Sequence, residues 1–217
     1  MYNNFHGEKV NNQHADAILR EFFPNYDYKG TFIDIGAFEP ITISNSHHFY
    51  MNEWKVYEIE ANPDHIPLLK QHRDYVYNVA IADVDKDEVE FNIVSNGSWT
   101  AGFSALVISE DYKRKFPGGI KTVTKIKVPQ RTLNSLLENE MKDITSIDIM
   151  SIDIEGGELN CLKGFDIAKY MPHVILIENI TNDTHVNHLL ESHDYTCVRK
   201  INYNHYWIDK KWFGREK

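Results

Sequence analysis

The chain has 217 residues, 42% of them hydrophobic and 25% charged, proportions that fit one ordinary α/β domain and exclude a disordered chain. Its 23 Lys and Arg against 32 Asp and Glu leave a formal net charge of −9, the wrong sign for a protein that lives on phosphate backbones, so nucleic acid is not expected as a partner. No apolar run approaches a membrane span, residues 1–10 hold no apolar signal core, and Cys161 and Cys197 form neither a C-x-x-C pair nor a disulfide framework. A soluble cytoplasmic protein with two reduced, buried and inert thiols is the expectation, and nothing in the composition fixes its oligomeric state.

Residues 12–23 place Ala15, Ile18, Leu19, Phe22 and Phe23 at helical spacing until Pro24 stops them, so residues 1–30 read as a helical lead-in. Residues 31–35 (TFIDI) form a short strand that runs into Gly36. A helix from Ser44 to about Asn52 follows, then a strand at 54–59, a helix at 63–72 and a strand at 75–81. This β-α-β-α-β order implies parallel pairing through crossover helices. Residues 87–128 break the rhythm: 88–94 and 122–128 alternate as antiparallel edge strands do. Between them lies an irregular stretch with Trp99, Gly102 and Phe103. The basic run Lys113, Arg114, Lys115 reads as a solvated face or as a substrate loop ending at Gly118 and Gly119. The whole segment is expected as an insertion over the substrate side of the sheet. Alternation returns with a helix at 132–139, strand 147–152, helix 157–162, strand 173–177 and helix 182–191. A terminal hairpin, 195–201 with 205–209, turns at Asn202 and Tyr203. The fold class is α/β, one domain over residues 1–217, with a mostly parallel sheet and an antiparallel terminal strand. Its ligand belongs outside the carboxyl ends of the strands.

Three strand ends carry candidate chemistry. Asp34, Gly36 and Ala37 close the first strand and Glu60 closes the second: a glycine permits close approach to a ligand, and an acid one strand over can accept the protons of both ribose hydroxyls. A G-x-G-x-x-G fingerprint is absent, since Glu39 and Pro40 stand where later glycines would, which argues against a nicotinamide dinucleotide. In the run Ser151-Ile152-Asp153-Ile154-Glu155-Gly156-Gly157-Glu158, three acids follow a buried strand, and Glu158 doubles as a first-turn helix acid. The next strand ends in Glu178 and Asn179; if it lies beside the strand before Asp153, then Asp153, Glu178 and Asn179 offer hard oxygen ligands suited to Mg²⁺ or Mn²⁺, or hydrogen bonds to a sugar. The histidines, including His47, His48, His185 and His188, are read as mostly surface.

Together these motifs resemble the FkbM-type methyltransferases, S-adenosylmethionine-dependent enzymes of the Rossmann class, over about residues 10 to 200. Gln13 and Asp16 resemble a leading Q-x-x-D element, residues 32–40 (FIDIGAFEP) the cofactor loop, and Ser44-Asn45-Ser46 an S-N-T element. Glu60-Ala61-Asn62-Pro63 resembles E-P-N-P, Asn78-Val79-Ala80 an N-V-A element, and residues 151–158 the hallmark D-x-E-G-x-E. Ala61 replaces the usual Pro, and Ser151 stands where much of the family has Lys. The resemblance implies a class I methyltransferase sheet and S-adenosylmethionine as cofactor, bound through Asp34, Gly36, Ala37, Glu60, Asn78 and Ala80. It further implies O-methyl transfer to a hydroxyl of a sugar or glycan, with Asp153, Glu155 and Glu158 as catalytic carboxylates, Glu155 or Glu158 serving as base, beside the metal set Asp153, Glu178 and Asn179. That metal set resembles the acid, acid-Asn set of cation-dependent O-methyltransferases, whose usual base position is Gly156 here. The readings that remain beside it are a nicotinamide-dependent oxidoreductase and a non-catalytic glycan-binding module on the same fold.

Overall fold

A computed structural model describes residues 1–95, 104–107 and 122–213. The sequence features at Trp99, Gly102, Phe103, Lys113, Arg114, Lys115, Gly118 and Gly119 lie outside the described residues. The strands in chain order are β1 (Lys9–Val10), β2 (Gln13–His14), β3 (Thr31–Ile35), β4 (Lys55–Glu60), β5 (Tyr75–Asn78), β6 (Ala80–Ile81), β7 (Lys86–Ser95), β8 (Thr122–Arg131), β9 (Ile149–Ile152), β10 (Val174–Glu178), β11 (Tyr195–Ile201) and β12 (Asn204–Asp209).

The central sheet has seven strands in the order β11-β12-β10-β9-β3-β4-β5. From β10 to β5 every pairing is parallel, whereas β12 runs antiparallel to β10 and to β11. A parallel sheet covered on both faces needs strands that are apolar on both sides, and Ile149–Ile152 and Val174–Glu178 are buried throughout. Ile33, Ile59, Met150 and Ile175 face a core shared with the helices Leu133–Asn139, Glu158–Lys163 and Thr184–Ser192. Phe32, Val56, Ile149 and Leu176 face the opposite core, covered by Ala15–Phe22 and His47–Met51. The expected α/β architecture with an antiparallel terminal strand is therefore present.

Three local departures have physical causes. The lead-in begins as a hairpin rather than a helix, because Asn11 and Asn12 take φ of 50° and 64° and make a two-residue turn between β1 and β2. The expected strand 75–81 divides after Asn78. Its amide nitrogen donates to the carbonyls of Glu60 (2.9 Å) and Ala61 (3.0 Å), and Ala80–Ile81 leaves the main sheet to pair with β8. The insertion is a separate three-stranded sheet, β6-β8-β7, with both long strands extending beyond their expected ends. His47 and His48 are buried rather than surface residues, because Tyr2, Phe5 and His6 of the lead-in cover them. His185 and His188 are exposed as expected.

The same strand alternation that buries Phe32 and Val56 buries Asp34 and Glu58 two residues on. Arg73 makes this tolerable: its Nε donates to Glu58 Oε1 at 2.6 Å, and its Nη2 donates to the Pro40 carbonyl. Ser46 Oγ also donates to Glu58 Oε1 at 2.9 Å, and the nearby Ser46 and Ser151 hydroxyls together with the Arg73 charge favour the ionised form of Asp34. Burial, reinforced by the Asp34 charge, still pushes Glu58 up to about 7, and burial pushes Asp34 up to about 6. One guanidinium thus serves two buried carboxyls. Arg73→Met should lower unfolding stability by roughly 3–5 kcal/mol in urea titration, since it strands buried charge without a partner; a loss below about 1 kcal/mol would show that this cluster does not need its cation.

Candidate active site

A cleft of about 260 Å³ opens at the carboxyl ends of β3, β4 and β9, roofed by the three-stranded sheet. Because β3 lies between β4 and β9, the residues that follow these three strands meet along one rim: Gly36, Glu60 and Asp153. Gly36 has φ of +88°, and a Cβ there would lie 1.8 Å from the Asp153 carbonyl oxygen. Its glycine identity thus answers first to the neighbouring chain, which passes against it, and only then to any ligand.

Glu60 is buried, with each carboxylate oxygen held by a backbone amide: Phe38 N to Oε2 at 2.9 Å and Asn62 N to Oε1 at 2.7 Å. Burial raises its pKa and these amides oppose the rise. Each oxygen keeps a second lone-pair direction, so the fixed carboxylate can accept two further hydrogen bonds from a ligand diol. Ala80 lines the cleft beside Glu60. Ala37 instead packs with Ile66 and Leu69, Asp34 lies in the Arg73 cluster behind the rim, and Asn78 supports the Glu60–Ala61 backbone. The roof contributes Val89, Phe91, Leu106 and Gln130, and the loop after β3 contributes Phe38, none of which the sequence reading singled out. The strict alternation of Val89, Phe91 and Ile93 was the available signal for an apolar face there.

The loop after β9 explains its own sequence. Glu155 and Gly156 take φ of 59° and 98°, both left-handed, and Glu158 Oε1 accepts the amides of Gly156 (2.9 Å) and Ile154 (3.3 Å). Glu158, at the start of its helix, thereby fixes the turn from behind, while burial raises its pKa against these amides. The turn directs Glu155 toward Asp153 and Glu178, and one carboxylate oxygen from each of the three lies within 4.8 Å of the others. Asp153 and Glu178 are hydrogen-bonded to each other, which requires a proton between them. Burial pushes Asp153 up to about 7, with Glu158, Glu8 and Asp34 adding to the rise; burial and the Asp153 and Glu155 charges raise Glu178 well above the usual carboxylate range. Asn179 is engaged with the next turn: its Oδ1 accepts Asp183 N at 2.7 Å and its Nδ2 donates to Asp183 O at 3.1 Å.

The model of a family described as the methyltransferase FkbM domain matches residues 34–197. The chain belongs to the FkbM methyltransferase family. The match starts at Asp34 in β3 and ends at Cys197 in β11, so it takes in the cleft rim and the carboxylate trio. Its strand order and family together make this a Rossmann-like methyltransferase fold. Among solved structures, the FkbM-family chain is similar to "precorrin-6y C5,15-methyltransferase" from Geobacter metallireducens GS-15, at 13% identity over 94% of this chain and 91% of that one, with a TM-score of 0.44. No curated protein matches it. Among the described residues no helix is long and apolar enough to cross a membrane.

Asp153 is more easily charged in the unfolded chain than in the folded one, so its contribution to stability is full below its ordinary value of 3.8 and is lost as pH rises through about 7. In chelator-treated protein, Asp153→Asn should therefore gain stability relative to the parent between about pH 4 and about pH 8, by an amount on the order of 4 kcal/mol. A pH-independent difference in urea titrations at the two ends of that range would contradict the raised carboxyl.

Proposed function

We propose that this FkbM-family methyltransferase moves the methyl group of S-adenosylmethionine to a hydroxyl of a sugar or glycan. The observation that carries the reading is the joint placement of Glu60 and Asp153 along one cleft rim, an acid for a ribose diol at one end and the carboxylate trio at the other. The residues present fit the cofactor: Glu60 is held by two amides with lone pairs to spare, Gly36 and Ala80 leave room beside it, and Ile59 and Val79 give an apolar wall. Asp34 and Asn78 act one layer back, on the strand end and on the Glu60–Ala61 backbone. Phe38, with φ of 53°, brings a ring to the cleft at the loop where a dinucleotide would need bare backbone beside its pyrophosphate, which disfavours the nicotinamide reading.

When bound, S-adenosylmethionine supplies an electrophilic methyl on a sulfonium. An acceptor oxygen that took this methyl would have to be held in line with it and give up its hydroxyl proton to a group of the chain. A sugar hydroxyl is a weak nucleophile while protonated, so acceptors at the Asp153 end are what the chemistry asks for. Asp153 and Glu178 already share one proton, and ionised Asp153 or Glu155 can take another; Glu158 holds the loop that aims them. The roof strands β7 and β8 line the cleft with Val89, Phe91 and Gln130.

Two measurements test this reading. Glu60→Ala should weaken S-adenosylhomocysteine binding by more than tenfold in calorimetry, because two charge-assisted hydrogen bonds are each worth roughly 1.5–3 kcal/mol; unchanged affinity would remove Glu60 from the site. With S-adenosylmethionine and a glycan panel, mass spectrometry should show the gain of one methyl group on oxygen, and Asp153→Asn should lower turnover far more than cofactor affinity. Methylation at nitrogen or carbon alone would refute the hydroxyl acceptor.

A further inference from the structure

The carboxylate trio holds a feature that proton transfer leaves unexplained. Glu178 is 9% exposed, and its Oε2 is buried without a hydrogen-bond partner. Such an oxygen carries a desolvation penalty unless something positive or donating reaches it. Apart from the hydrogen bond with Asp153, the nearest chain groups worsen its position: the charges that act most on Glu178 are those of Asp153, Glu155 and Glu158, and Glu8 and Asp34 join Glu158 around Asp153. The loop that carries Glu155 is bent through two left-handed residues and clamped by Glu158, so the third carboxylate is fixed in place rather than free to swing into water.

We propose that Asp153, Glu155 and Glu178 seat a divalent, oxygen-preferring cation, with Glu155 in the place that the sequence alone gave to Asn179. The dimensions suit it. Neighbouring ligands on one side of an ion lie about 3 Å apart around Mg²⁺ and about 3.4 Å apart around Ca²⁺, about 1.4 times the respective metal–oxygen distances. The three carboxylate oxygens fall within 4.8 Å of one another, a separation from which side-chain rotation brings them onto an ion of either size. Three carboxylates on one side leave the remaining positions for water or for oxygens of an acceptor. Occupation gives Glu178 Oε2 its partner and offsets the mutual repulsion of the acids. A role for the ion in acidifying the acceptor hydroxyl rests on the methyl-transfer reading; its binding does not.

The test is calorimetric titration of Mn²⁺ into the chelator-treated full chain, with Mg²⁺ and Ca²⁺ as competitors, in the presence and absence of S-adenosylhomocysteine. One ion per chain should bind, and Glu155→Gln and Glu178→Gln should each weaken binding at least tenfold. Glu155→Gln lies on a loop, so it keeps the test alive even if Glu178→Gln fails to fold, and circular dichroism reports the folding of both. Absence of saturable binding into the millimolar range overturns the proposal. So does binding that a folded Glu155→Gln variant leaves unchanged, which would mark ions scattered over an acidic surface. Failure of S-adenosylhomocysteine to bind while Mn²⁺ binds as expected would refute the cofactor reading and leave the cation seat standing.

Discussion

Like charge gathered at the carboxyl end of a buried parallel sheet is the constraint on which the rest of this structure depends. Asp34, Glu58, Glu60 and Glu178 are buried at or within the strand ends, and half-buried Asp153 follows β9 at the same rim. Such a group must be paired, hydrogen-bonded or protonated. The chain uses a different solution at each place. Arg73 answers Glu58 and Asp34; backbone amides answer Glu60 and Glu158; a shared proton answers Asp153 and Glu178. The second is complete within the protein, whereas the first still leaves Glu58 Oε2 without a hydrogen-bond partner, enclosed behind the rim beside its guanidinium. The third leaves one oxygen of Glu178 unanswered, and that is where the site is open to a ligand.

The division also separates structural acids from reactive ones. Glu158 belongs to the loop, for its Oε1 receives two amides and its removal would release the turn that aims Glu155. Gly36 belongs to the same device: its missing Cβ lets the Asp153 carbonyl pass within 1.8 Å of where that atom would stand, so β3 and the loop after β9 can share one rim. Glu60 is different again, since its amides fix the carboxylate without exhausting it. A run of acids and glycines in the sequence thus resolves into a clamp, a spacer and a pair of groups that face the cleft.

Much of this was legible in the sequence. The alternation of apolar runs and helical periods gives the parallel order, because fully buried strands such as Ile149–Ile152 can belong only to a sheet covered on both faces. The positions of Gly36, Glu60 and Asp153 at strand ends were readable for the same reason. What the sequence could not show is which way a side chain turns after a strand ends. Asn179 follows Glu178 directly, yet its amide closes a turn onto Asp183, and Glu155, two residues past Asp153, reaches the trio only through a left-handed loop. His47 and His48 were misplaced on the surface because the segment that covers them, Tyr2 to His6, has no helical or strand period to announce it. Phe38 and the roof residues escaped notice because alternation reveals an apolar face without revealing what the face covers.

A high-resolution structure of the full chain bound to S-adenosylhomocysteine tests the central claim most directly. The account predicts the ribose hydroxyls within hydrogen-bond distance of the Glu60 carboxylate and the sulfur turned toward Asp153, so that a methyl group would point at the Asp153–Glu155–Glu178 rim. A ribose bound away from Glu60, or a sulfur facing away from Asp153, would contradict it.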